Sequence, residues 1–524
     1  MAENTLDATK CDERYEALKK KRDQYLNRAK EYAKVTLPYL LPENEDMSAS
    51  EMQTDYNSVG AELVNHLANR YMQELFPAAR SFFKLRLDDK ASKEVSDATG
   101  TSKAGQDKAF AEGERMARWQ FEERHARASI LDALKHCIVA GNSCLYWPAK
   151  DKGFVQNYAL DEYVILRGLD GKLVELITLD KKILATLDPD LKSAAMATMD
   201  LKGDEDLSQL TAKLYTWVRI NPDDPLKYDV VQAIEKAEVP DSVQQYPADL
   251  LPWIPLVWHR TRREIYGRGL VEDYYGSFYG LSVLTEAMVT GAAVMADFKF
   301  FVKPGSAIDI PEMNSSASGT YHYGDPDDIG TPEVGKSRDL KFIFDIVNWY
   351  KQTLGKAFLQ VSSQMRDAER VTAEETRIRA QELETAHGGV FSNFAMSLQK
   401  PIAALLLRDI NVSTKGSQVK TVIVTGLDAM GRSADNEKIL WWFNDLAALK
   451  NVPEPFQQRM KPSDLMAVLA NGRDVDASVV VYTEDEFKTV AAEQAKLQNA
   501  AIAGQEMVKK ASTEQIAEGL ANSQ

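Results

Sequence analysis

The residues with the clearest chemical pattern are Gly330 to Ser337, whose spacing matches the phosphate-binding loop GxxxxGK[ST]. Such a loop follows a buried strand, and a helix begins at its lysine so that backbone N–H groups face the phosphates. Here the preceding residues are polar and rich in turn formers, and the sequence predicts no helix start at Lys336. Glu333 would also place a carboxylate among the groups that hold the anion. A nucleotide hydrolase using this loop is therefore the least favoured reading of the chain.

The other residues that could bind a cofactor or a metal, or act in catalysis, lack the neighbouring residues that such sites require. Gly267-Arg268-Gly269 has neither the third glycine nor the βαβ unit of a dinucleotide fingerprint. The acidic turn Gly324–Asp328 lacks the ligand pattern of a calcium loop. The six histidines show no metal-ligand spacing. Glu374 and Glu375 are adjacent on a predicted helix and point to different faces. We predict no catalytic residue, no metal site and no cofactor.

Composition is that of an ordinary globular protein of two to four domains. The chain has 524 residues, of which 44% are apolar and 27% charged. Three cysteines without a CxxC pair indicate a reducing compartment. No N-terminal signal is visible, and charged residues break the most membrane-like run, Leu281 to Val302, so no membrane association is predicted. The net charge of −15 argues against an ordinary nucleic-acid binder, but it suits a protein that lets DNA pass without adhesion.

Periodicity predicts helical regions on both sides of a β-rich insert. Helices are expected at about 12–35, 60–76, 104–125 and 130–138. From Phe154 to about Arg260 the period changes to two, with hairpin turns at Leu169–Gly171 and Asn221–Pro225. The predicted fold class is α+β, mainly helical.

Two long helices follow, separated by a stretch rich in proline, glycine and serine. They are predicted at Leu270–Phe301 and at about Phe342–Leu359. The small residues Gly291, Ala292 and Ala293 would allow another backbone to come close. A further helix from Phe391 to Arg408 should be kinked at Pro401, and Val419–Val424 should form a strand.

The segment Met365 to Phe391 combines a charged loop with a well-capped helix. Thr372 and Glu375 have the spacing of a capping box. The helix after them is polar nearly all round, so it is either a solvated charged face or a contact with neighbouring chains. Its candidate contact residues are Arg377, Arg379, Glu382 and Glu384.

Several stretches together resemble the portal, or head-to-tail connector, proteins of short-tailed bacteriophages that encode their own RNA polymerase. The resemblance covers roughly Tyr15 to Gly431. The stretches are YNSVGAELVNHLANRYMQELFP at Tyr56, VAGNSCLYWP at Val139, YGRGLVEDYYG at Tyr266, ERVTAEETRIRAQELETAHGGVFS at Glu369 and TGLDAMGRS at Thr425.

The resemblance implies a ring, expected to be a homododecamer, around a central channel at the capsid vertex. The implied domains are a wing at 1–268 with the β-rich insert at about 154–260, stem helices at 269–302 and 342–360, a clip at 303–341, a channel loop at 361–371, further wing at 372–435 and a helical crown at 436–524. Gly291, Ala292 and Ala293 would then pack between subunits, with the four charged helix residues named above.

The implied function is structural. Double-stranded DNA would be packaged and ejected through the ring without sequence recognition, and Lys356, Arg366 and Arg370 would touch its phosphates. Thr372 and Glu375 would fix the hinge of the channel loop.

The implied partners are the packaging terminase, tail and adaptor proteins, and the major capsid, scaffolding and internal core proteins. The chain would be made in the host cytoplasm and reside in the virion, where it would also nucleate head assembly. The main alternative is another virion head-tail adaptor or core protein.

Overall fold

The computed structural model describes the following parts of the chain: 6–43, 55–78, 81–87, 103–150, 153–199, 206–296, 301–330, 337–360, 385–387, 389–410 and 419–423. The predicted crown and channel loop lie outside them.

Helices make up most of the described chain. Those before the long pair are α1 (Cys11–Lys34), α2 (Val59–Leu75), α3 (Lys103–Glu123), α4 (Ala126–Ala140) and α5 (Pro189–Thr198). The later ones are α6 (Leu270–Ala296), α7 (Ile310–Ser315), α8 (Ser337–Ala357), α9 (Val390–Phe394) and α10 (Lys400–Asp409). With the sheets described next, this confirms the α+β class.

Within the described ranges, the strands form four antiparallel sheets. The strands are β1 (Phe83–Leu87), β2 (Asn142–Tyr146), β3 (Gln156–Tyr158), β4 (Tyr163–Arg167), β5 (Leu173–Ile183), β6 (Thr211–Ile220), β7 (Lys227–Ile234), β8 (Ala237–Glu238), β9 (Gln244–Pro247), β10 (Trp253–Val257), β11 (Phe301–Val302), β12 (Ile329–Gly330) and β13 (Val419–Ile423). A six-stranded sheet has the order β4-β5-β6-β7-β8, with β9 also paired to β7. A three-stranded sheet has the order β10-β2-β3, and the pairs β1-β13 and β11-β12 complete the set.

Both predicted hairpins are confirmed. Gly171 has a φ of 87°, and its N–H donates to the carbonyl of Gly168 at 2.9 Å in the turn between β4 and β5. The side chain of Asn221 accepts hydrogen bonds from the backbone of Asp223 and Asp224 between β6 and β7, as an Asx turn does.

Periodicity missed the helix α5 inside the β-rich insert. Its apolar residues pack on the small cluster formed by Leu184, Ala212 and Ile234. The segment is short and rich in alanine, and Pro189 at its first turn starts the helix without losing a hydrogen bond. Burial against the sheet, rather than local pattern, decides its conformation.

The helical run that ends at Asp409 is interrupted where Pro401 predicts it. A π-helical turn, Ala395–Gln399, separates α9 from α10 and ends two residues before the proline. Proline lacks the N–H that would bond to the preceding turn, and its ring crowds that turn's carbonyl, so a wider turn relieves both problems. The run from Val390 to Asp409 is long and apolar enough to span a membrane, but 61% of it is buried inside the protein, as in a core helix.

Candidate subunit-interface and channel elements

The long helices α6 and α8 pack against each other through one apolar face. Val347 and Leu354 of α8 are buried, as are Phe278 and Leu281 of α6. The rings of Phe278 and Phe358 meet edge to face with centroids 5.6 Å apart. Because the early part of α6 meets the end of α8, the two helices are antiparallel.

The outer faces of this pair expose large apolar side chains. Phe342, Phe344 and Trp349 of α8 are 67%, 52% and 59% exposed. On α6 the exposed ones are Tyr279, Val283 and Val289. Single apolar residues scattered over a surface are ordinary. Six on one helix pair expose an apolar area whose contact with water is unfavourable.

Several predicted site residues lie on the same two helices. Lys356 is exposed. It follows Phe342 and Trp349 at intervals of seven residues, which places all three on one face of α8. On α6, Ala292 and Ala293 are exposed and Gly291 is half-buried, so their small surfaces stay available for contact.

The remaining predicted site residues lie outside the described parts of the chain. They are Arg366, Arg370, Thr372, Glu375, Arg377, Arg379, Glu382 and Glu384. Their roles stay predictions.

The structure corrects one argument about the loop from Gly330 to Ser337. A helix, α8, does begin at Ser337, several residues earlier than predicted. The strand before the loop is only the two-residue β12, at the half-exposed to exposed Ile329 and Gly330, rather than a buried strand.

The acidic turn Gly324–Asp328 has structural contacts of its own. Asp325 accepts a hydrogen bond from the backbone of Asp327 at 2.9 Å, and Asp328 pairs with Lys303 at 3.2 Å. Among the described residues, no group of three or more His, Cys, Asp or Glu side chains is placed to hold a metal ion.

The N-terminal end of α6 is held in place because two glycine-containing turns approach each other closely. A Cβ on Gly141 would lie 2.4 Å from the backbone of Arg268, and one on Gly269 would lie 2.6 Å from the carbonyl oxygens of Ile138 and Val139. Gly141 also has a φ of 76°, which favours glycine. The Gly-Arg-Gly sequence therefore serves backbone packing at this position.

Asn142 joins the same two turns by hydrogen bonds. Its side-chain oxygen accepts from the backbone N–H of Gly267 at 2.6 Å, and its amide donates to the Gly267 carbonyl at 2.8 Å. The residue is 1% exposed, so these bonds satisfy an amide that has little access to water. Two stretches that carried the family resemblance, at Val139 and Tyr266, thus meet in space.

A group of ion pairs ties α1 to the first turn of α6. Arg268 contacts Glu264 at 2.7 Å and Glu272 at 2.9 Å, and Arg28 of α1 contacts Glu272 at 3.0 Å. These charges are partly exposed, so the ion pairs add little stability. Their main effect is to fix the position of α1 against the first turn of α6.

The end of α8 is held by α2 and by the chain that returns at 385–387. Arg70 donates to the carbonyl of Leu359 at 3.1 Å. His387 lies 3.3 Å from the carbonyl of Ala357 through Nε2 and 3.0 Å from the Tyr71 hydroxyl through Nδ1. Since a carbonyl only accepts, Nε2 carries the proton and Nδ1 accepts from Tyr71. Both ends of the undescribed stretch 361–384 are therefore anchored near α2.

Sequence reasoning missed these anchors. Arg70, Tyr71 and His387 all fall inside stretches that carried the resemblance, but nothing in their spacing indicates that they meet. Tyr71 is fully buried, and its ring lies within 5.2 Å of that of Trp258, so only tertiary packing brings the group together.

The buried His387 should make the folded chain less stable in acid. Burial, reinforced by nearby Arg70, holds the pKa of His387 below its usual 6.5, although its bond to Ala357 opposes the shift. As pH falls below about 6.5 the unfolded chain takes up a proton that the folded chain refuses, so stability falls by up to about 1.4 kcal/mol per pH unit for this group. The loss continues until pH passes below the folded pKa.

The measurement compares Tm at pH 7.5 and pH 5.5 for the wild type and for His387→Gln. We expect a smaller acid-induced drop in the variant, because glutamine does not titrate. His66 and His136, whose pKa values burial also lowers, contribute the same background to both proteins. Equal drops in the two proteins would contradict the assignment.

Comparison with known proteins identifies the family. The profile of the bacteriophage head-to-tail connecting proteins matches residues 8–480. The portal protein of Enterobacteria phage SP6 is 36% identical over 501 residues, covering 96% of this chain and 95% of the relative. The portal protein of Escherichia phage T7 is 30% identical over 492 residues, covering 92% of this chain and 89% of the relative. The chain belongs to the bacteriophage head-to-tail connecting protein family.

The family membership and portal function predicted from the sequence are confirmed by these matches, and the virion is the place of such a protein. Among solved structures, a chain from the neck of a native gene transfer agent particle is 13% identical. The alignment covers 79% of this chain and 89% of that chain with a TM-score of 0.33, so the assignment rests on the sequence relatives.

Proposed function

We propose that the chain closes into a ring, expected to be dodecameric, in which α6 and α8 form the stem. The observation that carries this proposal is the set of six exposed apolar side chains on the outer faces of the pair. Each would be covered by the next subunit, since a repeated head-to-tail contact that closes gives a ring. Covering a large apolar side chain fully is worth about 1.5–3 kcal/mol.

The domain assignment follows from the same pair. The antiparallel helices support a stem at 269–302 and 342–360, in which the first helix ends at Ala296 and Phe301–Val302 form strand β11. The described residues 303–330 between the two helices support a clip at 303–341. The channel loop at 361–371 begins where the second helix ends. The wing is then 1–268 with 372–435, and 436–524 is the crown.

The channel conducts double-stranded DNA without sequence recognition. A net charge of −15 keeps the duplex from adhering through like-charge repulsion. Lys356, Arg366 and Arg370 supply weak phosphate contacts at the end of the stem and in the channel loop. Thr372 and Glu375 fix the hinge of that loop. The chain has no catalytic activity of its own.

The partners of the ring change during assembly. During packaging it docks the terminase, and after packaging it docks tail and adaptor proteins. Capsid, scaffolding and internal core proteins surround it in the head, whose assembly it nucleates after synthesis in the host cytoplasm. Gly291, Ala292 and Ala293 allow close stem packing, and Arg377, Arg379, Glu382 and Glu384 face neighbouring subunits.

Negative-stain imaging with mass measurement of the purified protein tests the ring. Rings with a central hole are the expected result. A stable 58.6 kDa monomer under all conditions would contradict it and favour another adaptor or core protein. An ATPase assay with Lys336→Ala separates the structural proposal from a nucleotide hydrolase, which predicts turnover that depends on this lysine.

Replacing the two arginines of the channel loop tests the proposed DNA contacts. We expect Arg366→Ala with Arg370→Ala to form rings in normal yield but to retain packaged DNA several-fold less well, because two phosphate contacts are lost per subunit. The measurement is packaging yield and DNA retention in assembled particles. Lys20→Ala with Lys21→Ala, on the exposed face of α1, is the matched control for charge. Unchanged packaging and retention in the arginine variant would remove the loop from the mechanism.

A further inference from the structure

A cavity of about 200 Å³ lies where the three-stranded sheet meets the six-stranded sheet. Tyr146 of β2 and Trp253 of β10 form one wall, and these two residues are direct partners in the strand register. A second wall comes from alternate residues of β7 and β9, which point to the same side of their strands. A water molecule takes up about 30 Å³ in the liquid, so the space holds several waters or one small organic group. We call it the Trp253 cavity.

The first wall carries hydrogen-bond donors that have no acceptor within the described parts of the chain. Trp253 is 5% exposed, and its indole Nε1 is buried without a hydrogen-bond partner. The hydroxyl of Tyr146 has no partner there either. Burial raises the pKa of Tyr146 to about 12, so this hydroxyl keeps its proton and can donate it. A buried donor without an acceptor costs free energy, which a bound acceptor would recover.

The polar side chains of the second wall already bond to the protein. The Tyr246 hydroxyl donates to the side-chain oxygen of Gln244. Ser242 accepts from the backbone N–H of Gln232 at 3.2 Å, and the Gln232 amide donates to Thr216 at 3.1 Å. The donors of the first wall therefore decide which group the cavity takes.

Arg408 of α10 gives the cavity its charge. Among the described residues that line the cavity, Arg408 alone has a charged side chain, and 26% of that side chain is exposed. Its Nε and Nη2 donate to Asp409 at 3.1 Å and 2.8 Å, which leaves Nη1 for another acceptor. Burial raises the pKa of Tyr146 and of Tyr246, and the nearby charge of Arg408 opposes both shifts. Donors beside a guanidinium favour an ionised oxygen acceptor, because such hydrogen bonds are the stronger ones.

We propose that the Trp253 cavity binds a carboxylate group, which accepts hydrogen bonds from Trp253 Nε1, the Tyr146 hydroxyl and Arg408 Nη1. The rings of Tyr146 and Trp253 are stacked with centroids 4.8 Å apart, and they provide an apolar surface for the carbon that carries the carboxylate. The carboxylate belongs to a free small molecule or to a side chain of a second copy of the chain. Both sources present the same chemistry to the cavity.

Titration with sodium acetate tests the site in the full chain, with Tm measured at neutral pH and constant ionic strength. A ligand that binds the folded chain alone raises Tm along a saturable curve. Acetamide is the control ligand because it has nearly the same shape without the charge. The titration uses wild-type rings and also Trp349→Asp, whose added charge on the exposed face of α8 is expected to keep the chain unassembled.

We expect a saturable rise in Tm with acetate and none with acetamide. Equal responses of rings and unassembled chains assign the site to a free carboxylate. A response confined to unassembled chains supports the site as well, and assigns it to a side chain that a second copy supplies in the ring. Absence of a saturable rise in both forms, as for a cavity that holds only water, would overturn the proposal. Equal rises with acetate and acetamide would overturn it too.

Two conservative variants locate the binding. Trp253→Phe and Tyr146→Phe each remove one donor and keep an aromatic ring, so each should raise the half-saturating acetate concentration about ten-fold. Trp217→Phe is the matched control, since Trp217 is also buried with an unpartnered Nε1 but does not line the cavity. It should keep the wild-type value. The same half-saturating concentration in all three variants would place acetate elsewhere on the protein and overturn the assignment.

Discussion

We expect a Trp349→Asp variant to purify as a folded chain that no longer forms rings. Trp349 is exposed on α8 in the free chain, so the substitution leaves the core of the chain untouched. In the ring it would place an unpaired carboxylate where an aromatic side chain is covered. Aromatic anchors of this kind typically contribute about 2–4 kcal/mol when truncated, and a buried charge adds to that loss.

The same loss recurs at every interface of the ring, because each head-to-tail contact holds one Trp349 side chain. Mass measurement at micromolar concentration should therefore show monomers in place of rings. Circular dichroism and Tm should match the wild type.

Leu226→Asp is the matched control, since Leu226 is also an exposed apolar residue but lies far along the chain from the helix pair. It should assemble normally. Rings in normal yield from Trp349→Asp would exclude this face of α8 from the interface. Monomers from both variants would indicate that assembly is sensitive to any added charge.

The second large effect is expected from Gly269→Ala at the base of α6. The new Cβ would lie 2.6 Å from two carbonyl oxygens of the chain segment that ends α4. Both are backbone atoms, so they cannot move aside as a flexible side chain would. The turns must separate, which would also weaken the hydrogen bonds between Asn142 and Gly267.

We expect a loss of about 3 kcal/mol or more, at the upper end for overpacked sites, with reduced soluble yield and a lower Tm. The matched control is Gly276→Ala, seven residues later and inside α6, where a Cβ meets nothing within 4 Å. That change should raise stability by about 0.5–1 kcal/mol, because alanine favours a helix over glycine. Equal Tm values for the two variants would contradict the packing argument.

The two variants also separate stability from assembly. Trp349→Asp acts on an exposed side chain and should change the oligomeric state alone. Gly269→Ala acts on buried backbone and should lower Tm whether or not rings form. Together they distinguish a chain that cannot assemble from one that cannot fold.

Local patterns determined much of the architecture of this protein. Alternation of apolar residues and the turn residues Asp170-Gly171 and Asn221 were sufficient for the two hairpins, because these signals act within a few residues. The irregularity at Pro401 was equally local, since proline removes its own N–H from the helix. The long helices were predictable from their apolar period, with errors of several residues at their ends.

The family, too, was determined by the sequence, because specific stretches identify a relative without any knowledge of their contacts. The sequence alone did not explain why those stretches contain these particular residues. Gly141 and Gly269 are far apart along the chain, and only the tertiary structure shows that each leaves room for the other's backbone. The same holds for Tyr71 and His387, which meet across 316 residues.

The exposed faces of α6, α8 and α3 were likewise decided by tertiary structure. A helical period shows that Trp349 and Trp119 lie on helices, but it does not show whether the rest of the chain covers them. Burial depends on contacts distant in sequence, and those contacts set which apolar side chains stay free to bind another surface.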